Sequence, residues 1–462
     1  MTKREAKVFK RISKMFQDGS VATKLSFFAL PAGHFIHRQY VKGALYLLAQ
    51  ACFSLFMGYG GARALLQLFS GNLGVRESGE IWNEQLQIFE KVRGDNSFLI
   101  LLYGVASILV TVVYLFVWYQ GVKSCYEVDL SLRKGRPLPT AKEDFCTLVN
   151  RRFYIPLLIP PMLGLLIFTV LPLVFMVLIA FTNYDYGHMP PGKLFGWVGL
   201  ANFKALFSLS GGSSAFALVF LRVLAWTLVW ALLATFSNYF LGVLLALAIG
   251  RKGIRGKAFF RTMFVLSIAV PQFVSLLLMQ KILDGDGILN KILGTNLLWL
   301  ADQRNFSILP RAMILLVNVW VGVPYTLLMA TGILGNIPAD YFEAAKIDGA
   351  SPVKAFVHVT LPYMLQITTP YLITQFVTNV NNFNVIWLLT GGGPVDNVYY
   401  GGGTQAQSTD LLVTWLYRLT TDKNPRYNVA AVIGMIIFAI CALASLLVYS
   451  RSSSVKSEGD FQ

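Results

Sequence analysis

The sequence predicts an all-α, polytopic membrane protein with about eight transmembrane helices. Three observations carry that prediction. Of 462 residues, 55% are hydrophobic and only 13% charged, whereas a soluble domain uses about 25% charged residues to cover its surface. Apolar runs of about 20 residues, the length at which a helix crosses a bilayer, recur along the chain. The basic excess, a formal net charge of +16, sits mainly in short segments flanking those runs, where membrane topology accounts for it and no nucleic acid is needed.

Residues 1–40 read as a cytoplasmic and interfacial segment. The first 24 hold seven Lys/Arg against two acids, are polar throughout, and so do not form a cleavable signal peptide. His34 and His37 lie three apart in a stretch mixing aromatic and basic groups, with no carboxylate or thiol in view to complete a metal site. An interfacial role is expected for them. The four cysteines make no framework. Cys52 and Cys441 lie inside apolar runs, while Cys125 and Cys146 fall in a basic segment expected on the reducing side of the membrane.

Eight spans are expected near 41–66, 98–120, 154–182, 223–250, 262–282, 310–334, 364–389 and 428–449. Segment 25–66 is long enough for one helix or two. The connection 121–153 is basic (Arg133, Lys134, Arg136, Arg151, Arg152), and 251–261 carries Arg251, Lys252, Arg255, Lys257 and Arg261 without an acid. Connections 67–97, 184–222, 283–309 and 390–427 mix signs or are poor in charge. The positive-inside rule then puts both termini, and the corner at 341–362, in the cytoplasm of a cell-membrane protein. The organisation follows as an N-terminal segment 1–40, two additional helices in 41–153, a six-helix core in 154–450 and a polar, disordered cytoplasmic tail 451–462. Gly391–Pro394 and Gly401–Gly403 read as turns and flexible backbone of an outer loop.

Several chemistries are absent. Gly253-Ile-Arg-Gly256-Lys257-Ala258 lacks the spacing and the terminal hydroxyl of a phosphate-cradling loop, and neither H-E-x-x-H nor G-x-S-x-G occurs. No catalytic residue, metal or cofactor is expected in this chain. Ion coupling would leave ionisable groups inside the spans. The last five have few, with Arg311, Lys281 and Asp284 near span ends. An embedded enzyme or receptor would want paired carboxylates or histidines there, and none pair.

The polar break Tyr341–Pro362 reads as two short helices around a sharp corner. Asp340 and Glu343 have capping-box spacing, Gly349 suits the left-handed residue ending the first helix, and Ser351-Pro352 starts the second as cap and first position. Such a corner is shaped to be held by another protein. Glu343-Ala344-Ala345, Gly349 ten positions before Val359, and Leu361-Pro362 resemble the EAA loop of binding-protein-dependent ABC importer permeases. The resemblance implies the type I importer permease fold, with 338–362 as coupling loop. Glu343, Ala344, Ala345, Asp348, Gly349, Leu361 and Pro362 would then dock on a cytoplasmic ATPase subunit.

Span seven is polar for a lipid-embedded helix, with Gln375, Thr378, Asn379 and Asn382 at i, i+3, i+4 and i+7. Two readings fit. Amides and hydroxyls could line a path for a neutral, hydroxyl-rich solute, or they could hold helices together. Span six repeats the pattern with Asn318, Gly322 and Tyr325 beside Pro324. Span five carries Pro271, Gln272 and Ser275 at an expected kink. Trp320, Tyr325, Phe383 and Trp387 could offer flat faces to sugar rings. The stretch from Leu361 to Pro394, with its Asn381-Asn382-Phe383 run, and the later Ser408–Thr420 resemble the larger permease of maltose/maltodextrin importers (MalF type), a resemblance covering roughly residues 150–450. It implies an oligosaccharide, maltose or maltodextrin, contacted by Ile268, Gln272, Val321, Gly322, Tyr325, Gln375, Thr378, Asn379 and Asn382. Ile268 and Thr378 replace aromatics of the enteric proteins, and Gln272 and Gln375 replace serines. Also implied are a second homologous permease, two ATPase subunits that hold ATP and magnesium, an extracellular solute-binding protein and surrounding lipid. Raffinose-type sugars, alginate oligomers and glycerol phosphate are the alternative solutes. The last would want a positive charge in the cavity.

Overall fold

The computed structural model describes residues 3–451 apart from 72, 84–86, 136, 139, 152, 209–213, 252 and 397–403. Arg136, Arg152, Lys252, Gly401–Gly403 and the tail from 452 onward lie outside the described residues. The chain forms two units, Met1–Gly199 and Leu200–Gln462. Among the described residues six helices are long and apolar enough to cross a membrane, so this is a multi-pass, mostly helical membrane protein.

In the first unit, α1 (Lys3–Asp18), α2 (Val21–Ser26) and α3 (Ala32–Ile36) precede three long helices, α4 (Tyr40–Ser70), α5 (Ser97–Arg133) and α6 (Tyr154–Ile179). The stretch 25–66 therefore holds one spanning helix, with short helical turns in front of it. Helix α5 runs well past the anticipated end near residue 120. That extension brings buried Asp129 to the N-terminal segment, where its carboxylate accepts from the Ser20 amide (3.0 Å) and hydroxyl (2.7 Å) and from the Thr23 hydroxyl. The His37 ring lies 2.8 Å from the same carboxylate. His37 thus has the carboxylate neighbour that the sequence did not suggest, because ninety-odd residues separate the two in the chain. Among the described residues no group of three or more metal-ligating side chains forms around it.

His34 is fully buried, stacked on Tyr46 with ring centroids 4.8 Å apart. Its Nε2 faces the Gly121 carbonyl at 3.2 Å and its Nδ1 faces Gln39 Oε1 at 3.1 Å. A neutral ring can donate from only one nitrogen. Gln39 Nε2 is buried without a partner, and rotating that amide by half a turn lets it donate to Nδ1 while Nε2–H serves Gly121. Between α4 and α5 lies a hairpin not anticipated from sequence, β1 (Gly79–Asn83) and β2 (Ile88–Val92), paired antiparallel with Trp82 opposite Phe89.

The second unit is built on α7 (Ser214–Gly250) and α10 (Ile308–Gly335), joined by α8 (Lys257–Ala269) and α9 (Gln272–Ile282). The expected span 262–282 is broken in the middle. Val270 and Pro271 are extended, with ψ of 126° and 130°, because proline disfavours a helical residue before it. After α10 come α11 (Ala339–Ile347) and an unbroken helix, α12, over 352–380. Then follow α13 (Phe383–Thr390), α14 (Leu412–Thr421) and α15 (Tyr427–Arg451). The span expected over 364–389 is likewise two helices, divided at Asn381-Asn382. Trp230, Leu276, Ile314, Val317, Val385 and Ile386 fill one core of this unit, and Tyr239, Val243, Leu327 and Met364 another.

Two helices widen to a π turn at the same kind of place. Turn 166–170 precedes Leu171-Pro172 and turn 356–360 precedes Leu361-Pro362. A proline has no N–H for the carbonyl four residues back, and its ring collides with it. One extra residue in the turn relieves the collision without ending the helix.

Candidate translocation pocket and coupling corner

The corner forms much as its residues dictate. Helix α11 ends at Asp348, and Gly349 takes a φ of +72°. The Gly349 amide donates to the Lys346 carbonyl (3.1 Å) and Ala350 to Ala345 (2.9 Å), which satisfies carbonyls that a helix end leaves open. Ser351 caps the next helix, its hydroxyl accepting from the Lys354 amide at 3.3 Å, with Pro352 in the first turn. Two details differ from expectation. Helix α11 starts at Ala339 after Pro338, with no side-chain cap. Asp340 and Glu343 are therefore not a capping box, and Asp340 favours the helix by its charge in the first turn. The second helix does not stop at Leu361-Pro362, because the π turn absorbs the proline and the helix continues as α12. Both α11 and the first turn of α12 are largely solvent-exposed. Glu343, Ala344, Ala345 and Asp348 all lie on that exposed helix and its end.

The break at Pro271 opens a small cleft lined by Val270, Gln272, Ser275, Trp320, Val321 and Tyr325. Proline fixes the approach of α9, whose first turn presents Gln272 and Ser275, and α10 supplies Trp320, Val321 and Tyr325. Tyr325 is 52% exposed. The lining combines two aromatic faces with an amide and two hydroxyls, all uncharged. Three of the nine candidate solute contacts, Gln272, Val321 and Tyr325, meet here. Val270 was not foreseen, since only the break exposes it.

The other six sit elsewhere. Ile268 lies in the last turn of α8, half-buried. Gln375 and Thr378 lie along α12, outside the cleft lining. Gly322 faces α7: a Cβ there would come within 2.2 Å of Asn238 Nδ2, so glycine serves the helix crossing. Asn379 is 4% exposed and donates to Thr235 Oγ1 at 3.0 Å, while the Trp230 indole donates to its carbonyl at 3.2 Å. Asn382 caps α13, its Oδ1 accepting from the Val385 amide at 3.2 Å and its Nδ2 donating to Asn379 at 3.3 Å. The polar face read across 375–382 thus ends where the helix ends. Tyr239–Thr368 (2.8 Å) and Thr326–Tyr371 (3.1 Å) are further hydroxyl contacts between helices. Asn318 is buried with its Nδ2 unpartnered, as is Asn238 Oδ1.

The Gly391–Pro394 turn is tightly held. Gly391 and Gly392 have φ of 59° and 89°, the Thr409 amide donates to the Gly392 carbonyl at 2.9 Å, and Arg418 donates to Gly391. The buried Asp410 carboxylate lies 3.3 Å from Arg418 Nε and presses on Gly392, where a Cβ would meet it at 2.0 Å.

A family profile described as binding-protein-dependent transport system inner membrane component matches residues 239–454. The galactooligosaccharides transport system permease protein GanP of Bacillus subtilis (strain 168) is 34% identical, over 92% of this chain and 96% of its own length. The maltodextrin transport system permease protein MalC of Streptococcus pneumoniae serotype 4 is also 34% identical, over 78% and 83%. Among solved structures, a bacterial ABC transporter involved in import of the acidic polysaccharide alginate superposes with a TM-score of 0.53 at 20% identity, over 67% of this chain and 98% of that one. That likeness supports the importer-permease fold. With a broken helix pair, a capped corner and a relative of this identity over nearly its whole length, the chain belongs to the inner-membrane components of binding-protein-dependent transport systems.

Proposed function

We propose that this chain is one of two homologous permease subunits of an ATP-driven importer of oligosaccharides, with maltose and maltodextrins as the solutes. It would work with two cytoplasmic ATPase subunits, which bind ATP and magnesium, and with an extracellular solute-binding protein. Both termini and the corner at 338–362 would lie in the cytoplasm. The single observation that carries the reading is the corner itself: a glycine-ended helix, a serine cap and an exposed surface that continues directly into α12. Closure of the ATPases would press on Glu343–Gly349 and be passed to the helices around the Pro271 break. The cleft beside that break is uncharged and aromatic, which suits a neutral sugar better than an acidic one or glycerol phosphate.

The test is to replace Glu343 by Ala, or Gly349 by Val, and to measure sugar uptake and complex assembly separately. Loss of uptake, with or without loss of the ATPase from the purified assembly, is expected. Normal uptake in both variants would refute the coupling role. A second reading, galacto-oligosaccharides, is favoured by the GanP relative. Competition of labelled maltotriose uptake by each sugar class decides between them.

A further inference from the structure

Away from the Pro271 cleft, α7 and α10 leave an open groove of about 530 Å³ along their seam. It shares no residue with that cleft, which is built with α9. Arg222 and Arg311 stand at one end. Below them Trp226, Val229, Leu233 and Leu315 form the walls, with the small side chains of Ala225 and Ala312 leaving room between the helices. None of the described lining residues is acidic. The arrangement is amphiphilic along its length. From Arg222 to Leu233 the helix advances roughly 16 Å at 1.5 Å per residue, which is about half of a hydrocarbon core roughly 30 Å thick.

Arg311 is fixed in place. Arg311 donates to the Ser408 carbonyl from Nε (3.3 Å) and Nη2 (2.7 Å), and its guanidinium lies 4.5 Å from the centre of the Trp226 ring. Trp226 in turn donates to the Thr409 carbonyl at 3.2 Å. A guanidinium held at the polar end of a greasy groove, with a second arginine, Arg222, lining the same end, matches a phosphate on top of an acyl chain. A free anion would have no use for the floor, where Val229 and Leu233 are 46% and 48% exposed.

We infer that this groove seats one anionic phospholipid of the leaflet opposite the coupling corner, its phosphate between Arg222 and Arg311 and a chain along Val229, Leu233 and Leu315. The test uses the transporter purified with its native subunits in mild detergent. Native mass spectrometry counts retained phosphatidylglycerol, and thermal melts follow add-back of phosphatidylglycerol, phosphatidylcholine or inorganic phosphate after delipidation. Wild type should keep one phosphatidylglycerol and gain several degrees on its return. Arg222→Gln should bind it at least tenfold more weakly, and Ala225→Trp, which fills the groove without changing charge, should do the same. The inference is overturned if both variants retain and respond to the lipid like wild type, or if inorganic phosphate alone gives the whole shift. It is also overturned if Val229→Cys cross-links to the second permease, which would show that a protein covers the groove.

Discussion

Asn379 and Thr235 join α12 to α7 through a 3.0 Å hydrogen bond between their side chains, with both residues buried. An amide on the polar face of span seven is thus engaged in holding two helices together. Such bonds inside membrane proteins contribute about 0.6 kcal/mol on average. Asn379→Ala should therefore lower the melting temperature of the purified assembly by a degree or two. Gln272→Ala and Tyr325→Ala should instead raise the apparent KM for uptake while leaving the melt unchanged. Unaltered uptake kinetics in both of those variants would remove the Pro271 cleft from the solute's route.

Two glycines on α10 separate packing from propensity. At Gly322 a Cβ collides with Asn238, whereas at Gly332 it meets nothing within 4 Å. Gly322→Ala should cost about 1 kcal/mol, the low end of overpacking, because the group it meets is the end of the Asn238 side chain. Gly332→Ala should be neutral or slightly stabilising. Equal melts for the two variants would contradict the close α7–α10 crossing.

His34 makes the N-terminal segment sensitive to acid. Burial holds its pKa below the ordinary 6.5, so the folded state takes up the proton less readily than the unfolded chain. The stability that depends on the neutral ring is complete above about pH 6.5 and drains away as pH falls below it. The difference in melting temperature between pH 7.5 and pH 5.5 should shrink in His34→Gln. An unchanged difference would mean that this ring does not set the acid response.

Asp410 is fully buried against Arg418, which is 17% exposed. Removing one partner of a buried pair leaves the other uncompensated and costs about 3–5 kcal/mol. Arg418→Met should destabilise the Gly391–Pro394 turn by that order and speed its proteolysis, and adding Asp410→Asn should recover part of the loss. A double variant no better than the single one would show that the pairing is not what holds the turn.

How much of this was legible in the sequence varies with the range of the interaction. Gly349 and Ser351 were readable because a left-handed glycine and a serine cap act within a few residues of themselves. The start of α11 was misplaced since Pro338 sets it by backbone alone, leaving Asp340 and Glu343 to mimic a cap. Asn382 was grouped with Gln375, Thr378 and Asn379 on one helix face because spacing assumes that a helix continues, and α12 ends two residues earlier. Gly322 shares a face with Asn318, but periodicity does not say which neighbour that face meets. The contact between His37 and Asp129 depends on α5 running beyond the apolar run, which hydropathy alone ends too soon. The β1–β2 hairpin was missed for its brevity beside such long apolar segments.

The π turn at 356–360 gives the corner a particular mechanics. Because it takes up Pro362 without a break, the helix that begins at the Ser351 cap reaches Val380 as one strut, roughly 40 Å long at 1.5 Å per residue. Its far end is tied by Asn379 to Thr235 and by the Asn379 carbonyl to Trp230. Displacement at one end can then be passed to the other, with the wide turn and the interior Pro370 as the spots where the rod can flex. A lateral shove would be damped there, whereas thrust along the axis would travel its whole length.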